Sequence, residues 1–251
     1  MNAALAAPIG LLIGSFLNVV AYRLPRGESL LWPASHCPGC DQPIKPYDNV
    51  PVLSWLLLRG KCRGCGEHIS PRYPAIELLT ALAFGAIVLV NGVDKDLIWE
   101  LPFAAMLIAV AGIDLEHRII PNKVMLPSAV FAVATAIALR PDDLAELGIA
   151  GAGAFAAFLL CALAYPAGMG MGDVKLAGVL GLFLGTAVIP ALFIAFLTGT
   201  IVGVVVIAKH GKSGRKKGVP FGPFLALGGL VGLLAGSDLI DLYTSTFLQG
   251  V

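Results

Sequence analysis

Charged residues are scarce in this chain, and that scarcity decides its broad class. Only 13% of its 251 residues are charged and 57% are hydrophobic, whereas about 25% are charged in an ordinary soluble domain. The sequence also lacks an internal repeat of solenoid length and a low-complexity tail. The composition therefore excludes a soluble globular protein and indicates an integral membrane protein, and the missing repeat excludes a solenoid.

Uncharged apolar runs recur along the chain. A helix needs roughly 17 to 25 such residues to cross a bilayer, so the sequence predicts an all-α polytopic membrane protein with about eight transmembrane helices. The predicted spans are Ala3–Tyr22, Ala75–Val90, Leu97–Ile113, Val124–Leu139, Leu147–Met169, Val174–Thr186, Ile189–Ala208 and Val219–Gly236. The sixth is short, and the sixth and seventh also fit one interrupted run, which would leave seven crossings. The first lacks the basic segment and cleavage site of a secretory signal, so we expect it to remain as a transmembrane helix.

Positive charges are unevenly distributed between alternate loops. With eight crossings, 15 of the 17 Lys and Arg residues fall on one side of the membrane, and only Lys95 and Arg140 fall on the other. Cytoplasmic loops hold the excess of positive charge in membrane proteins. We therefore expect the loop of residues 23–75 to face the cytoplasm. The basic run at 211–218 is expected near anionic lipid headgroups and not on a nucleic acid.

The loop of residues 23–75 differs in composition from the rest of the chain, because it is rich in proline and holds four of the five cysteines. It is predicted to be a small soluble domain inserted after the first helix. The predicted domains are a first transmembrane helix at 1–22, a cytoplasmic zinc-binding domain at 23–75 and a membrane-embedded peptidase domain at 76–251.

The four cysteines form two C-x-x-C pairs, Cys37 with Cys40 and Cys62 with Cys65. Four thiolates satisfy a tetrahedral Zn²⁺ ion and leave no open position, so the pattern predicts a structural zinc site. A domain of this size has too small a core to be stable alone, and the ion would supply much of its folding free energy. Two disulfides are the alternative, which a reducing cytoplasm disfavours.

Two acidic residues lie at the ends of predicted spans. Asp114 ends the third predicted helix and Asp173 opens the sixth. An Asp at the centre of a membrane helix costs about 2.5 to 3.5 kcal/mol, so acids near spans are candidates for function. Two carboxyl groups that share a proton can activate water and polarise a peptide carbonyl, as in aspartyl proteases. Gly170 and Gly172 precede Asp173 and leave room for an extended substrate.

Two other interpretations of these acids stay open on the residues alone. Asp173 could be a helix N-cap, since Asp is favoured there. Paired carboxylates could also relay protons or cations in a small transporter, but a relay is expected near the membrane midplane. Asp114 and Asp173 are both predicted near the cytoplasmic face, which favours the protease.

Several segments resemble, in order and spacing, the bacterial prepilin leader peptidases (type IV prepilin peptidases), which are GxGD intramembrane aspartyl proteases. These segments are Gly14–Pro25, the tetracysteine insert, Arg72–Thr80, the two aspartate motifs and Pro220–Leu225. Together they cover nearly the whole chain. The resemblance implies that Asp114 and Asp173 are the catalytic pair. It also implies that the active-site backbone includes Gly170, Gly172, Pro220, Gly222 and Pro223.

The resemblance further implies the substrates and a second reaction. Members of the family cut prepilins and pseudopilins of type IV pili and type II secretion at the cytoplasmic face of the inner membrane, between a basic leader and an apolar helix. Members with the tetracysteine domain typically also methylate the new N-terminal amine with S-adenosylmethionine. We therefore expect prepilin substrates, membrane lipid, Zn²⁺ and this methyl donor, and no nucleic acid. The residues themselves contain no glycine-rich loop after a strand that would mark a methyl-donor site.

Overall fold

The computed structural model describes residues 3–166, 168–210 and 219–247. These residues are helical apart from turns, loops and isolated β-bridges. The α-helices are α1 (Ala3–Arg23), α2 (Leu53–Leu57), α3 (Arg72–Val90), α4 (Leu97–His117), α5 (Asn122–Leu139), α6 (Leu144–Ala164), α7 (Met171–Leu184), α8 (Val188–His210) and α9 (Gly222–Phe247). Short 3₁₀ turns form at Pro46–Asp48, Pro141–Asp143 and Gly185–Ala187. The basic run at 211–218 lies outside the described residues.

The long helices follow the predicted spans. Within the described part of the chain, 7 segments are long and apolar enough to cross a membrane, and one of them, Met171–Lys209, contains both α7 and α8. The predicted all-α fold with about eight membrane helices and a cysteine-bearing insert after the first is confirmed. α7 is short, with 14 residues, and Gly185 ends it with a φ of +58° that favours glycine.

Two helix ends differ from the predicted spans. α4 continues beyond Ile113 to His117, so Asp114 lies three residues before the helix end and is not its last residue. The helix ends where Arg118 adopts a left-handed conformation, with a φ of 54°. α6 ends at Ala164, five residues before the predicted end at Met169, because Pro166 disfavours helical backbone at the residue before it.

Met1–Val93 form one compact unit, here called the N-terminal unit. Its framework is the packing of α1 against α3. A Cβ atom on Gly10 would lie 2.6 Å from the Cα atom of Ala81, so the two backbones are in close contact there. Five residues before the end of α1 at Arg23, the Asn18 side chain donates a hydrogen bond to the Tyr73 carbonyl at 3.1 Å. Small residues and one interhelical amide therefore hold the helix pair together, as is typical within membranes.

We predict that Gly10→Ala destabilises the N-terminal unit. The added Cβ would meet backbone and not a movable side chain, and overpacking of this kind costs about 1 to 3 kcal/mol. The melting temperature of the purified protein in detergent should therefore fall. Gly85→Ala on α3 is the matched control, because nothing lies within 4 Å of its added Cβ. Equal melting temperatures for the two variants would contradict the close packing of α1 and α3.

Asp94–Val251 form the second compact unit, here called the C-terminal unit. α6 packs on α7, α8 packs on α9, and α5 packs on α7. Phe103 of α4 and Phe183 of α7 are fully buried, with ring centroids 4.5 Å apart. α9 contacts both α4 and α7. The helix that closes the described chain therefore bridges the two helices that carry Asp114 and Asp173.

Candidate active site and metal centre

The four cysteines of the N-terminal unit form one cluster. Their sulfur atoms all lie within 4.8 Å of one another, with Cys37 Sγ 3.7 Å from Cys65 Sγ and Cys40 Sγ 4.0 Å from Cys62 Sγ. A tetrahedral zinc ion with Zn–S bonds of about 2.3 Å requires sulfur atoms about 3.8 Å apart. A disulfide would require about 2.05 Å. The four thiols therefore fit a tetrahedral metal ion.

Two turns of the same design present these sulfurs. In the first, the Asp41 amide donates to the Cys37 carbonyl at 2.8 Å, and in the second the Gly66 amide donates to the Cys62 carbonyl at 2.9 Å. Asp41 and Gly66 both have positive φ, 53° and 76°. Backbone hydrogen bonds, the strongest from Cys65, lower the pKa of the Cys62 thiol to about 7. The pKa of the neighbouring Cys65 thiol is raised to about 12, so without a metal ion the first thiolate of the cluster, the form that a metal ion binds, is at Cys62.

An ion pair joins the two parts of the insert independently of the sulfurs. The Arg63 guanidinium donates to both carboxylate oxygens of Asp48, Nε to Oδ2 at 2.9 Å and Nη2 to Oδ1 at 2.6 Å. These hydrogen bonds hold the pKa of Asp48 below its usual value. Because Arg63 follows Cys62 directly, the pair ties the second cysteine turn to the 3₁₀ turn Pro46–Asp48.

Asp114 and Asp173 line the same cavity in the C-terminal unit. The cavity has a volume of about 240 Å³. Asp114 is 5% exposed, and Asp173 is partly buried. The other residues that line the cavity are Arg118, Ile119, Ile120, Gly170 and Gly172. Two acids far apart in the sequence are therefore brought to one small space.

A backbone amide orients each carboxyl group. Gly222, the first residue of α9, donates its N–H to Asp114 Oδ2 at 2.9 Å. Gly170 donates its N–H to Asp173 Oδ2 at 3.1 Å. Gly170 is the N-cap of α7 and Asp173 is its third helical residue, so Asp173 is not itself the N-cap. Its carboxyl group nevertheless satisfies a free amide at the helix start, a structural role compatible with chemistry at its second oxygen.

Glycine is required at two positions around this cavity because of close approach. A Cβ atom on Gly222 would lie 2.7 Å from Asp114 Oδ2, and one on Gly172 would lie 2.8 Å from the Cβ atom of Ile120. None of the three predicted residues of the C-terminal motif, Pro220, Gly222 and Pro223, is among those that line the cavity. Gly222 is connected to it through its hydrogen bond to Asp114, and Pro220 and Pro223 flank Gly222 at the start of α9.

We predict that Gly222→Ala slows any reaction that uses the Asp114 carboxyl group, without unfolding the protein. The added methyl group must displace the Asp114 carboxyl group or break its 2.9 Å hydrogen bond. Loss of a charge-assisted hydrogen bond of about 1.5 to 3 kcal/mol corresponds to a fall of roughly ten- to hundredfold in kcat/KM. Gly153→Ala on α6 is the control, since its added Cβ meets nothing within 4 Å. Unchanged kcat/KM in Gly222→Ala would separate this contact from catalysis.

The sequence patterns did not identify the wall of the cavity that follows α4. Arg118, Ile119 and Ile120 form this wall. Pro121 could have indicated it, because a proline is disfavoured inside a helix and so predicts a short non-helical segment before it. Nor was the role of Lys175 identified. Its ammonium group donates to Asn122 Oδ1 at 2.7 Å, which joins α7 to the start of α5.

Two protein families match the chain. The Bacterial Peptidase A24 N-terminal domain matches residues 9–91, and the Type IV leader peptidase family matches residues 101–204. The chain is similar to the prepilin leader peptidase/N-methyltransferase of Aeromonas hydrophila, at 35% identity over 95% of this chain and 92% of the relative. Proteins of the same description from Bacillus subtilis (35%, covering 93% and 94%) and Neisseria gonorrhoeae (36%, covering 90% and 88%) are also similar. No solved structure matches significantly.

Proposed function

Because the chain belongs to the type IV leader peptidase family, we propose that it removes the leader peptides of prepilins and pseudopilins and then methylates the new N-terminal amine. The observation that carries the proposal is that Asp114 of α4 and Asp173 of α7 line one cavity. Both acids lie near helix ends and not at helix centres. This placement, and the absence of a transporter among the relatives named above, disfavours a proton or cation relay.

The proposed cleavage uses the two carboxyl groups in complementary protonation states. Two acids in one cavity do not both ionise readily, so they share a proton. The ionised carboxylate removes a proton from a water molecule, and the resulting hydroxide attacks the carbonyl carbon of the scissile bond. The protonated carboxyl group donates a hydrogen bond to the developing oxyanion. The C–N bond then breaks, and the leaving amine takes up a proton.

The glycine amides prepare the pair for this reaction. Gly222 and Gly170 each hold one oxygen of Asp114 and Asp173, so the two groups need little reorganisation when charge develops. Gly172, beside Ile120, lets the start of α7 approach the chain that follows α4. An extended substrate segment needs such a wall of accessible backbone, and in a membrane non-helical backbone is tolerated only where it lines a protein cavity.

The chain is a multi-pass protein of the inner membrane. We place the active site and the cysteine-bearing insert on the cytoplasmic side. The support is the charge asymmetry, since 15 of 17 Lys and Arg residues fall in one set of alternate loops. The C-terminal end of α4 and the N-terminal end of α7 both adjoin loops of that set. The division into a first helix at 1–22, a zinc-binding domain at 23–75 and a peptidase domain at 76–251 is part of the same proposal.

We assign Zn²⁺ to the cysteine cluster as a structural ion. All four ligand positions of a tetrahedral ion would be occupied by the sulfurs of Cys37, Cys40, Cys62 and Cys65, which leaves no site for a water nucleophile. The methyl donor is assigned as S-adenosylmethionine, which supplies an electrophilic methyl group. The N-terminal unit contains a cavity large enough for it, of about 1330 Å³.

The function is tested with the purified protein in lipid vesicles and a prepilin. With S-adenosylmethionine present, mass spectrometry should show loss of the leader and the mass of one added methyl group on the new N-terminus. Without the donor, leader loss should continue and the methyl group should be absent. A prepilin that stays intact under both conditions would refute the peptidase, and one that is cut but never methylated would refute the second activity.

A further inference from the structure

The insert contains a short helix with an uncovered apolar face. α2 spans Leu53–Leu57, and its leucines Leu53, Leu56 and Leu57 are 59%, 57% and 83% exposed. They are spaced three and four residues apart, so they share one side of the helix, here called the leucine face. A single exposed leucine is normal on a protein surface, but three on one side of a five-residue helix form a patch that marks a contact.

The opposite side of α2 is held by the rest of the N-terminal unit. Val52, which directly precedes α2, donates its amide to Glu77 Oε2 at 2.7 Å. The indole Nε1 of Trp55 donates to the Ile69 carbonyl at 3.0 Å. Val52 and Trp55 line the large cavity of this unit, whereas the leucine face is not among its walls. A helix this short is not stable alone, so these contacts fix α2 with its leucines turned away from the cavity.

Glu77 sets the depth of α2 in the membrane. α3, Arg72–Val90, has 19 residues, so its length of about 28 Å only just crosses the roughly 30 Å hydrocarbon core of a bilayer. Glu77 lies about 7.5 Å past Arg72 along this helix. Its backbone packs inside the α1–α3 pair, since a Cβ atom on Gly14 would lie 2.6 Å from Glu77 Cα. The hydrogen bond from Val52 therefore anchors the start of α2 at a level where acyl chains surround the helices.

Two basic residues follow the leucine face. Arg59 and Lys61 come shortly after the end of α2 and are exposed. Gly60, between them, accepts a hydrogen bond from the Ile69 amide at 2.8 Å, and Ile69 precedes the start of α3 by three residues. The two cations are thereby held close to the membrane end of α3. An apolar face followed by cations is complementary to a leaflet of anionic phospholipid, in which acyl chains lie beneath phosphate groups.

We infer that the leucine face of α2 is inserted among the acyl chains of the leaflet at the start of α3, with Arg59 and Lys61 at its phosphate headgroups. The inference requires only that α1 and α3 span the membrane, so it is independent of the proposed leader removal and methyl transfer. The insert is then attached to the bilayer at α2 as well as at its two ends. Because Cys62 follows Lys61 directly, this attachment holds the cysteine cluster near the membrane surface.

The position of the leucine face is measured by tryptophan fluorescence of the full-length protein in vesicles. Leu57→Trp places an indole on the face, and the wild type supplies the background of the 3 native tryptophans. Phosphatidylcholine brominated near the headgroup end of its acyl chains should reduce the added emission about twofold, because the face is expected at the boundary between headgroups and chains. Aqueous iodide should have little effect. Leu82→Trp is the matched control, since Leu82 is exposed near the middle of α3 and should respond most to bromine deep in the chains.

Two fluorescence results would contradict the lipid contact. Quenching of Leu57→Trp by iodide and not by brominated lipid would place the leucine face in water and overturn the inference. Quenching by neither agent would overturn it as well, because the face would then be covered by protein, such as a second copy of the chain.

The headgroup contact is tested by limited proteolysis of the insert in vesicles. Adding phosphatidylglycerol to phosphatidylcholine should slow cutting of the wild-type insert roughly tenfold, since each cation at an anionic surface strengthens the attachment. Arg59→Gln combined with Lys61→Gln should remove this difference. Lys123→Gln is the control, because Lys123 is an exposed cation of the C-terminal unit, and it should keep the difference. Equal cutting of the wild type in both lipids, or an unchanged difference in the double variant, would overturn the headgroup contact.

Discussion

Asp114→Asn and Asp173→Asn should each reduce leader cleavage by roughly a thousandfold, because either change removes the proton exchange on which general acid–base catalysis depends. The two carboxyl groups line one cavity and act as a unit, so the double variant should be little worse than either single variant. Cleavage of a prepilin in vesicles, followed over time on a gel, measures all three.

Both variants should fold and accumulate normally. The Asn amide oxygen can still accept the Gly222 amide at position 114 and the Gly170 amide at position 173. Asp241→Asn is the matched control, since Asp241 is an exposed acid on α9 outside the cavity. Near-normal cleavage by either variant would remove that aspartate from the mechanism. Loss of cleavage with loss of the protein from the membrane would assign the residue to folding.

The second large effect concerns the metal. Replacing Cys37 and Cys40 with Ser removes two of four ligands, and structural zinc contributes about 10 to 16 kcal/mol to the folding of small domains. The purified double variant should contain no zinc by elemental analysis. Its insert should be cut by a protease at concentrations that leave the wild type intact.

Cys161→Ser is the control for the cysteine variants. Cys161 lies on α6, in the C-terminal unit and outside the cluster, so its replacement should leave the zinc content at one ion per chain. Retained zinc in the Cys37 and Cys40 double variant would rule out the tetrathiolate site. Retained zinc with a protease-sensitive insert would show that the ion does not supply the folding free energy of that domain.

Features set by local pattern were predicted well from the sequence. Helix positions follow from the length of apolar runs, and the metal cluster follows from the spacing of Cys37, Cys40, Cys62 and Cys65. Asp114 and Asp173 were predicted to be catalytic because an acidic side chain costs free energy in the membrane, and because the sequence resembles the family. In each of these cases the relevant physics acts within a few residues of the chain or is a property of the residue type.

Features created by distant parts of the chain were not predicted. Nothing local to Gly222 indicates that its amide meets Asp114, because the contact depends on how α9 packs on α4. The same holds for Glu77 and Val52, whose contact requires a positive φ that the residue type disfavours. The extension of α4 beyond Asp114 was missed because charged residues were taken to end an apolar span, although a helix can continue past them into the interface.

The place of Gly222 in the chain has a consequence for biogenesis. Its amide fixes Asp114, yet it belongs to the last described helix, which is synthesised after every other part of the site. A nascent chain that has inserted only α1 to α8 already carries both acids but lacks the donor that orients one of them. Under the proposed mechanism, full peptidase activity therefore requires that α9 has joined the bundle, because until then the Asp114 carboxyl group lacks the amide that orients it.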